Sequence, residues 1–298
     1  MAVKRKSNWY IYFIAFGITM AFAIGIILTF QDFLFPEDRQ VATGLTPTGE
    51  LSDDFKPDAS HNFTLLTMIG DESGSMPQLF MMVSYNAVEN TVVFIPLPNG
   101  ISVADSERTL PNVYAALGGS GAVKAVADAT GITCDGYIGF DRAGFLRLVS
   151  SFGNVEYDVP KTLMVTDGAV RDAFNAGAQI FSPEAMFRYM YLAEFSEGES
   201  YRFSMVGDVL AQLINQNFRH IDSTMLDNYF KIITEVCDTD ISQELFTSKK
   251  AALLNTVEYG SDIAEFYVPY GEYGEDGSFD IADNSIITIT QKCGKTEE

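Results

Sequence analysis

The sequence predicts a three-layer α/β domain, a central mixed sheet flanked by helices, behind one N-terminal transmembrane helix. Three observations predict it. Residues 8–30, NWYIYFIAFGITMAFAIGIILTF, hold no charged side chain. Three strand-like runs follow: FTLLTMIG (63–70), LFMMVSYN (79–86) and TVVFIPLP (91–98). Helix and strand patterns then alternate, with no internal repeat, over about 235 residues.

The anchor is argued from length and flanks. At ~1.5 Å per residue an uncharged stretch of this size crosses a ~30 Å hydrocarbon core. Lys4, Arg5 and Lys6 precede it, and Asp32, Glu37 and Asp38 follow. The positive-inside rule keeps the N-terminus in the cytoplasm and exports the rest. The run is long for a cleaved signal peptide, and no small-residue cleavage site follows it. Residues 1–31 therefore read as a cytoplasmic tip and anchor. Residues 32–62, polar and carrying Pro36, Pro47 and Pro57, read as a linker. Residues 63–298 read as the extracytoplasmic domain.

Within that domain AVEN (87–90) joins the second and third strands as a hairpin. GAVKAVADAT (121–130) reads as a helix stopped by Gly131, and GYIGF (136–140) as a short strand. In RAGFLRLVSSFG the apolar residues Phe145, Leu146, Leu148, Val149 and Phe152 share one helical face. Val155, Tyr157 and Val159 alternate as a strand. A helix over 183–195 begins at Ser182 as cap with Pro183 in the first position. Further helices are expected over 199–218, 223–236 and 242–256. The chain closes with IAEFYVP (263–269), a glycine-rich turn and SIITITQ (285–291).

Charge narrows the function. There are 19 Lys and Arg against 40 Asp and Glu, a formal net charge of -21. Three of the bases precede the first acid, which leaves 16 bases against 40 acids, net -24, outside the membrane. Such a surface repels nucleic acid, so no nucleic-acid partner is expected. Three cysteines, an odd number, are not a disulfide framework. Three buried thiols are expected, with a Cys237–Cys293 bridge as the alternative. His61 and His220 have no His or Cys at metal-ligand spacing and read as solvated.

Two resemblances bear on activity. GDESGSM (70–76) is similar to the D-x-S-x-S metal site of von Willebrand A domains, and LMVTDG (163–168) resembles a second part of it. That reading implies a metal-dependent adhesion module. It requires a helix directly after SGSM, where PQLFMMVSYN reads as a strand instead.

The second resemblance covers nearly the whole exported domain. GITCDGYIGFDRAGFLRLVSSFGNVEYDVP (131–160), AGAQIFSPEAMFRYM (176–190), ITEVCDTDIS (233–242) and YVPYGEYGEDGSFDIAD (267–283) resemble, in order, blocks of the LytR-CpsA-Psr family. The resemblance implies a membrane-anchored phosphotransferase that moves a glycopolymer from a polyprenyl-pyrophosphate carrier to peptidoglycan. It also implies an apolar lipid channel with arginines and Mg²⁺ at its mouth.

Most of the implied clamp is missing. The family's Ile-Pro-Arg-Asp falls on Ile95, Pro96, Leu97 and Pro98. Its Arg-x-Asp-Thr falls on Met76, Pro77, Gln78 and Leu79, and its Tyr-x-Arg on Tyr189, Met190 and Tyr191. In the Asp-x-x-Arg-x-x-Arg-Gln block Arg202 alone survives as a base, Glu199 is a conservative acid in place of the aspartate, and Met205 and Val206 replace the rest. Asp71 keeps a family-like position and is the one metal-ligand candidate. By the resemblance, Phe80, Met82, Phe145, Phe187 and Met190 line the channel, joined by Met81, Phe94, Phe152 and Met205. Arg108, Arg142, Arg171 and Arg188 lie outside the motif positions and read as surface residues. The expectation is a membrane-anchored envelope protein. It binds a polyprenyl-linked glycan or peptidoglycan with weak or no catalysis, and Mg²⁺ enters only with a phosphorylated ligand. An active phosphotransferase with a rearranged clamp is the alternative.

Overall fold

The computed structural model describes residues 44–46, 49–72, 76–101 and 109–295. The expected anchor, Ser73, Ser75 and Arg108 lie outside them. Among the described residues no helix is long and apolar enough to cross a membrane.

The three apolar runs form the middle of a mixed sheet. β1 (Phe63–Ile69), β2 (Leu79–Asn86) and β3 (Thr91–Leu97) pair antiparallel. β4 (Gly136–Phe140) joins β1 in parallel, and β9 (Asp238–Thr239) borders β4. β10 (Ala264–Phe266) runs parallel to β3, which gives the order β10-β3-β2-β1-β4-β9. A strand therefore follows residue 76, where a von Willebrand A domain needs a helix, and that reading is corrected.

Strand alternation divides the core into two layers. Leu66, Met68, Phe80, Met82, Ile95 and Leu97 face α1 (Leu110–Thr130) and α7 (Asp283–Lys292). Ile69, Leu79, Met81 and Phe94 face α2 (Arg142–Phe152), α3 (Pro183–Phe187) and α4 (Glu199–Asn217). On this second face α5 (Ser223–Val236) and α6 (Gln243–Tyr259) cover the start of β1 and the end of β2. The buried Tyr85 hydroxyl donates to the carbonyl of Ala252 in α6 at 2.8 Å. Helix, sheet and helix are the three layers the sequence predicts.

Three two-stranded sheets surround this frame: β5 (Val155–Val159) with β8 (Gly177–Phe181), β6 (Leu163–Asp167) with β7 (Val170–Phe174), and β11 (Gly271–Tyr273) with β12 (Phe279–Ile281). Two adjacent amides on α4 join the large sheet to the first of them. Asn215 accepts from the Ala264 N–H and donates to its carbonyl, both at 2.8 Å. Gln216 does the same for Glu156, again at 2.8 Å in each direction. Each amide acts as the missing neighbour of an edge strand.

Several local expectations change. α1 begins at Leu110, eleven residues before the expected start, because Gly118, at φ 68°, kinks a longer helix whose first half the glycine run concealed. The helix expected over 183–195 is α-helical only to Phe187 and widens into a π turn over Arg188–Leu192. SIITITQ is helical despite its β-branched residues, because Ser285, Ile289 and Cys293 recur four apart and are all buried. The end of the expected linker is docked: Phe55 packs near Tyr85 and lies 5.3 Å from the ring of His61. His61 completes a capping box with Asp58 rather than standing solvated. All three thiols are free. Cys237 packs against the α2 side and Cys293 is buried on the α7 side, so the sheet separates them and rules out that bridge. Burial pushes the Cys134 and Cys237 thiols up to about 12.

The two amide seams make different predictions. Asn215→Ala leaves both polar groups of the buried Ala264 without a partner and should cost about 2–4 kcal/mol. Gln216→Ala exposes the groups of a surface residue to water and should cost about 1 kcal/mol or less. Urea denaturation of the two variants checks this; equal losses would mean that the β10 seam is not the stronger.

Candidate functional site

β1 and β4 run parallel, and ligand sites in α/β sheets lie beyond the carboxyl ends of such strands. Here those ends are tied together. The Gly70 N–H donates to the Phe140 carbonyl at 2.8 Å, and the Arg142 N–H to the Asp71 carbonyl at 3.1 Å. Asp141 caps α2 by accepting from the Gly144 N–H at 2.7 Å, which makes Arg142 the first helical residue. Its side chain is thereby aimed over the strand ends.

Arg142 meets three acids there. Its guanidinium lies 3.7 Å from Asp71, 2.9 Å from Asp167, and in hydrogen-bond contact with Glu184. It also lies 5.1 Å from the centre of the Phe187 ring. Arg188 approaches Asp167 at 3.8 Å and Asp172 at 3.4 Å. The bonds to Asp167 and Glu184 raise the Arg142 pKa further above its usual range, and Arg142 holds the Asp167 carboxyl below its own. Arg142 and Arg188 are thus not the surface residues the sequence led us to expect. The signal was present: a basic residue directly after a strand and a capping aspartate lands at the carboxyl end of the sheet. Arg171 is exposed, as expected.

Arg202 is also engaged, by main chain. It donates to the Met190 carbonyl at 3.2 and 3.4 Å. Burial lowers its pKa, with Glu199 and Tyr191 opposing. The π turn gives this contact its reason. It turns both Tyr189 and Met190 inward, and Arg202 satisfies the Met190 carbonyl in the buried space beneath. One α-helical turn further on, Met205 takes the Tyr157 hydroxyl at 3.8 Å. The buried Tyr189 hydroxyl lies beside Tyr157, and burial pushes its pKa up to about 12.

The remaining clamp positions carry no charge toward a ligand. Met76 is 42% exposed, and Gln78 accepts from the Asn99 side chain at 3.2 Å through its carbonyl. Leu97 is fully buried on the α1 side of the sheet, so a guanidinium at this position would enter the core. Asp71, the one metal-ligand candidate, faces Arg142 instead of a second carboxylate free to share an ion. Among the described residues no group of three acids, histidines or cysteines is placed to hold a metal. The described residues do not by themselves form a Mg²⁺ site.

The structure also divides the expected channel. Phe80 and Met82 point to the α1 side, while Phe145, Phe187 and Met190 point to the α2 side, with the sheet between. The cause is strand alternation: residues 80 and 82 take the face opposite to Met81. Phe145, Phe187 and Met190 are each at most 4% exposed and fill the core behind the mouth. The open space lies further along the same face. A cavity of about 290 Å³, walled by apolar atoms, sits between the start of β1, the end of β2 and helices α2, α5 and α6. Leu65, Val83, Phe152, Tyr229 and Phe246 line it. Phe152 stacks on Tyr229, and Phe230 on Phe246, each at 4.5 Å between ring centres. Leu65 and Val83 belong to central strands and yet are not fully buried, because no side chain fills the space before them. Of the residues named for the channel, Phe152 lines this cavity.

Comparison with known proteins completes the description. The LytR_cpsA_psr family model matches residues 78–289. A solved structure of a candidate transcription regulator from Eubacterium siraeum is 26% identical, with a TM-score of 0.75 over 80% of this chain and 94% of that one. TagV of B. subtilis is 18% identical, with a TM-score of 0.63 over 79% of this chain and 98% of that one. TagT bound to LI-WTA is 14% identical, with a TM-score of 0.58 over 80% and 92%. No protein of curated function matches. The family match spans well over half of the chain, from just before β2 into α7, and on that ground the chain belongs to the LytR-CpsA-Psr family.

Proposed function

We propose that this protein is a membrane-anchored, extracytoplasmic member of its family that binds a polyprenyl-linked or wall glycopolymer ligand and catalyses phosphotransfer weakly or not at all. One observation carries the reading. The apolar cavity is open, while the guanidinium groups at the mouth are already engaged by the protein. Arg142 and Arg188 face four carboxylates, and Arg202 is bonded to main chain. A pyrophosphate would have to displace those acids, and each charged hydrogen bond it lacks forgoes about 1.5–3 kcal/mol. A divalent ion enters only with a phosphorylated ligand, since Asp71 alone is a poor site. TagT is recorded with LI-WTA, a relative's ligand that supports a glycopolymer-type partner here. The uncharged 8–30 stretch and the preceding lysines support the anchored topology.

One observation favours the alternative of an active phosphotransferase: Arg142 stands beside Asp71 and Arg188 shares its partner Asp167, at the right end of the sheet, although outside the family's motif positions. Phosphate release from geranyl pyrophosphate separates the readings. The full chain in nanodiscs with Mg²⁺ should show background turnover only; brisk turnover would establish the active reading. Freeing Arg142 with Glu184→Gln and Asp167→Asn should raise affinity for geranyl pyrophosphate about tenfold, the worth of one charge-assisted bond.

Arg202→Met tests the role of the surviving motif arginine. It should destabilise the protein by about 1–3 kcal/mol, by leaving the buried Met190 carbonyl unpaired, and leave ligand affinity unchanged. A loss of affinity without a loss of stability would return Arg202 to the ligand site.

Topology is checked by proteolysis. Protease added to spheroplasts should digest residues from 63 onward, and full protection would overturn the exported orientation.

A further inference from the structure

The cavity has one charged residue on its wall. Lys249 of α6 contributes its methylene stem, while its ammonium lies beyond the apolar lining. There it donates to the carbonyls of Ser60 at 2.6 Å and Asn62 at 3.1 Å. An ammonium has three donors, so one remains. Among the described residues no carboxylate pairs with it. Lys250, its neighbour, is taken by Asp227 at 2.6 Å. Asp58, the acid on the adjoining turn, is used by Ser60 and His61. After the uncharged stretch the chain holds 40 acids against 16 bases, yet the charge beside this apolar cavity is a lysine bonded only to carbonyls.

The placement is opposite to the charged mouth. Phe63, at the start of β1, lines the cavity, whereas Asp71 lies beyond the far end of that strand, which is itself roughly 20 Å away at ~3.3 Å per residue. Phe145 and Phe187 fill the space behind the mouth. Size limits the occupant. A cavity of ~150 Å³ holds one benzene ring, so the space here suits roughly ten to twelve carbons.

We propose that this cavity binds a single-chain anionic amphiphile, its tail on Leu65, Val83 and Phe152 and its carboxylate or phosphate on the ammonium of Lys249. This rests on the reading that the cavity takes an apolar chain, and adds the head group and the direction: the anion sits at the start of β1, beside residues 60–62, and not at the mouth beside Arg142.

The test uses the full chain in nanodiscs and three probes: dodecanoate, geranyl phosphate and the uncharged 1-dodecanol, with empty nanodiscs as the partition control. At least one anion should bind about tenfold more tightly than dodecanol, as expected for one charge-assisted contact. Lys249→Met keeps the stem and should remove that preference while dodecanol binding persists; Lys249→Arg should retain it. Val83→Phe should fill the cavity and abolish binding of all three. The preferred anion identifies the head as carboxylate or phosphate. Equal binding of all three probes, or an anion preference that survives Lys249→Met, would overturn the assignment to Lys249 while leaving the apolar cavity reading intact. Failure of all three to exceed the nanodisc control would overturn that reading itself.

Discussion

Two side-chain amides, one residue apart on α4, set the distance between the large sheet and the β5–β8 pair. Asn215 completes Ala264 and Gln216 completes Glu156, each with one donor and one acceptor. An amide presents the same pair of groups as a peptide unit, so it can occupy the place of a neighbouring strand. The alternative at both seams is an open edge, with its unpaired groups and its tendency to recruit another strand. With α4 fixed at both seams, the residues at its start are fixed too. Arg202 reaches the π turn, and the π turn carries Arg188 to the mouth. The placement of Arg188 and Arg202 thus depends on two neutral side chains.

The mouth itself illustrates how little an arginine count says about anion binding. Arg142, Arg188 and Arg202 all lie near the carboxyl ends of the parallel strands, yet each has protein acceptors. Guanidinium groups recognise phosphate through directed donors, and donors already directed at carboxylates or carbonyls are not available without exchange. Four carboxylates around two guanidiniums leave the cluster net negative, in keeping with the charge of the exported sequence. The apolar part of the fold is less specific in its demands. Many side chains can wall a cavity, so it persists beside a mouth whose charge pattern has changed.

Much of the frame was legible in the sequence because it rests on short-range pattern. The β1–β3 runs, the strands at 136–140 and 155–159, and the capped helices at 142, 183 and 243 follow from apolar period, proline position and cap residues. What escaped detection needed three dimensions or a weak local signal. Gly118 hid half of α1; one extra residue in a turn made the π segment; and SIITITQ obeyed a four-residue burial period against its β-branched preference. At the site, motif matching found Asp71 and Arg202 but not Arg142, whose place is set by the strand before it. It grouped Phe80 and Met82 with Phe145 and Phe187, although one residue of alternation puts a sheet between them. The cavity was not legible at all, because it is defined by what Leu65 and Val83 fail to touch.

The helical state of SIITITQ has a consequence for the order of assembly. Isoleucine and threonine lose rotamer freedom in a helix, so α7 has weak support of its own and depends on docking. Its docking surface is the sheet face bearing Leu66, Phe80 and Ile95, more than 180 positions earlier in the chain. β10 has the same dependence on β3, from which some 170 residues separate it. Both contacts close long loops, and neither forms until the intervening chain has been laid down. Until then part of one face of β1–β3, beside α1, and one edge of β3 stay uncovered, so the interval before these late elements arrive is when this domain is most exposed to wrong partners.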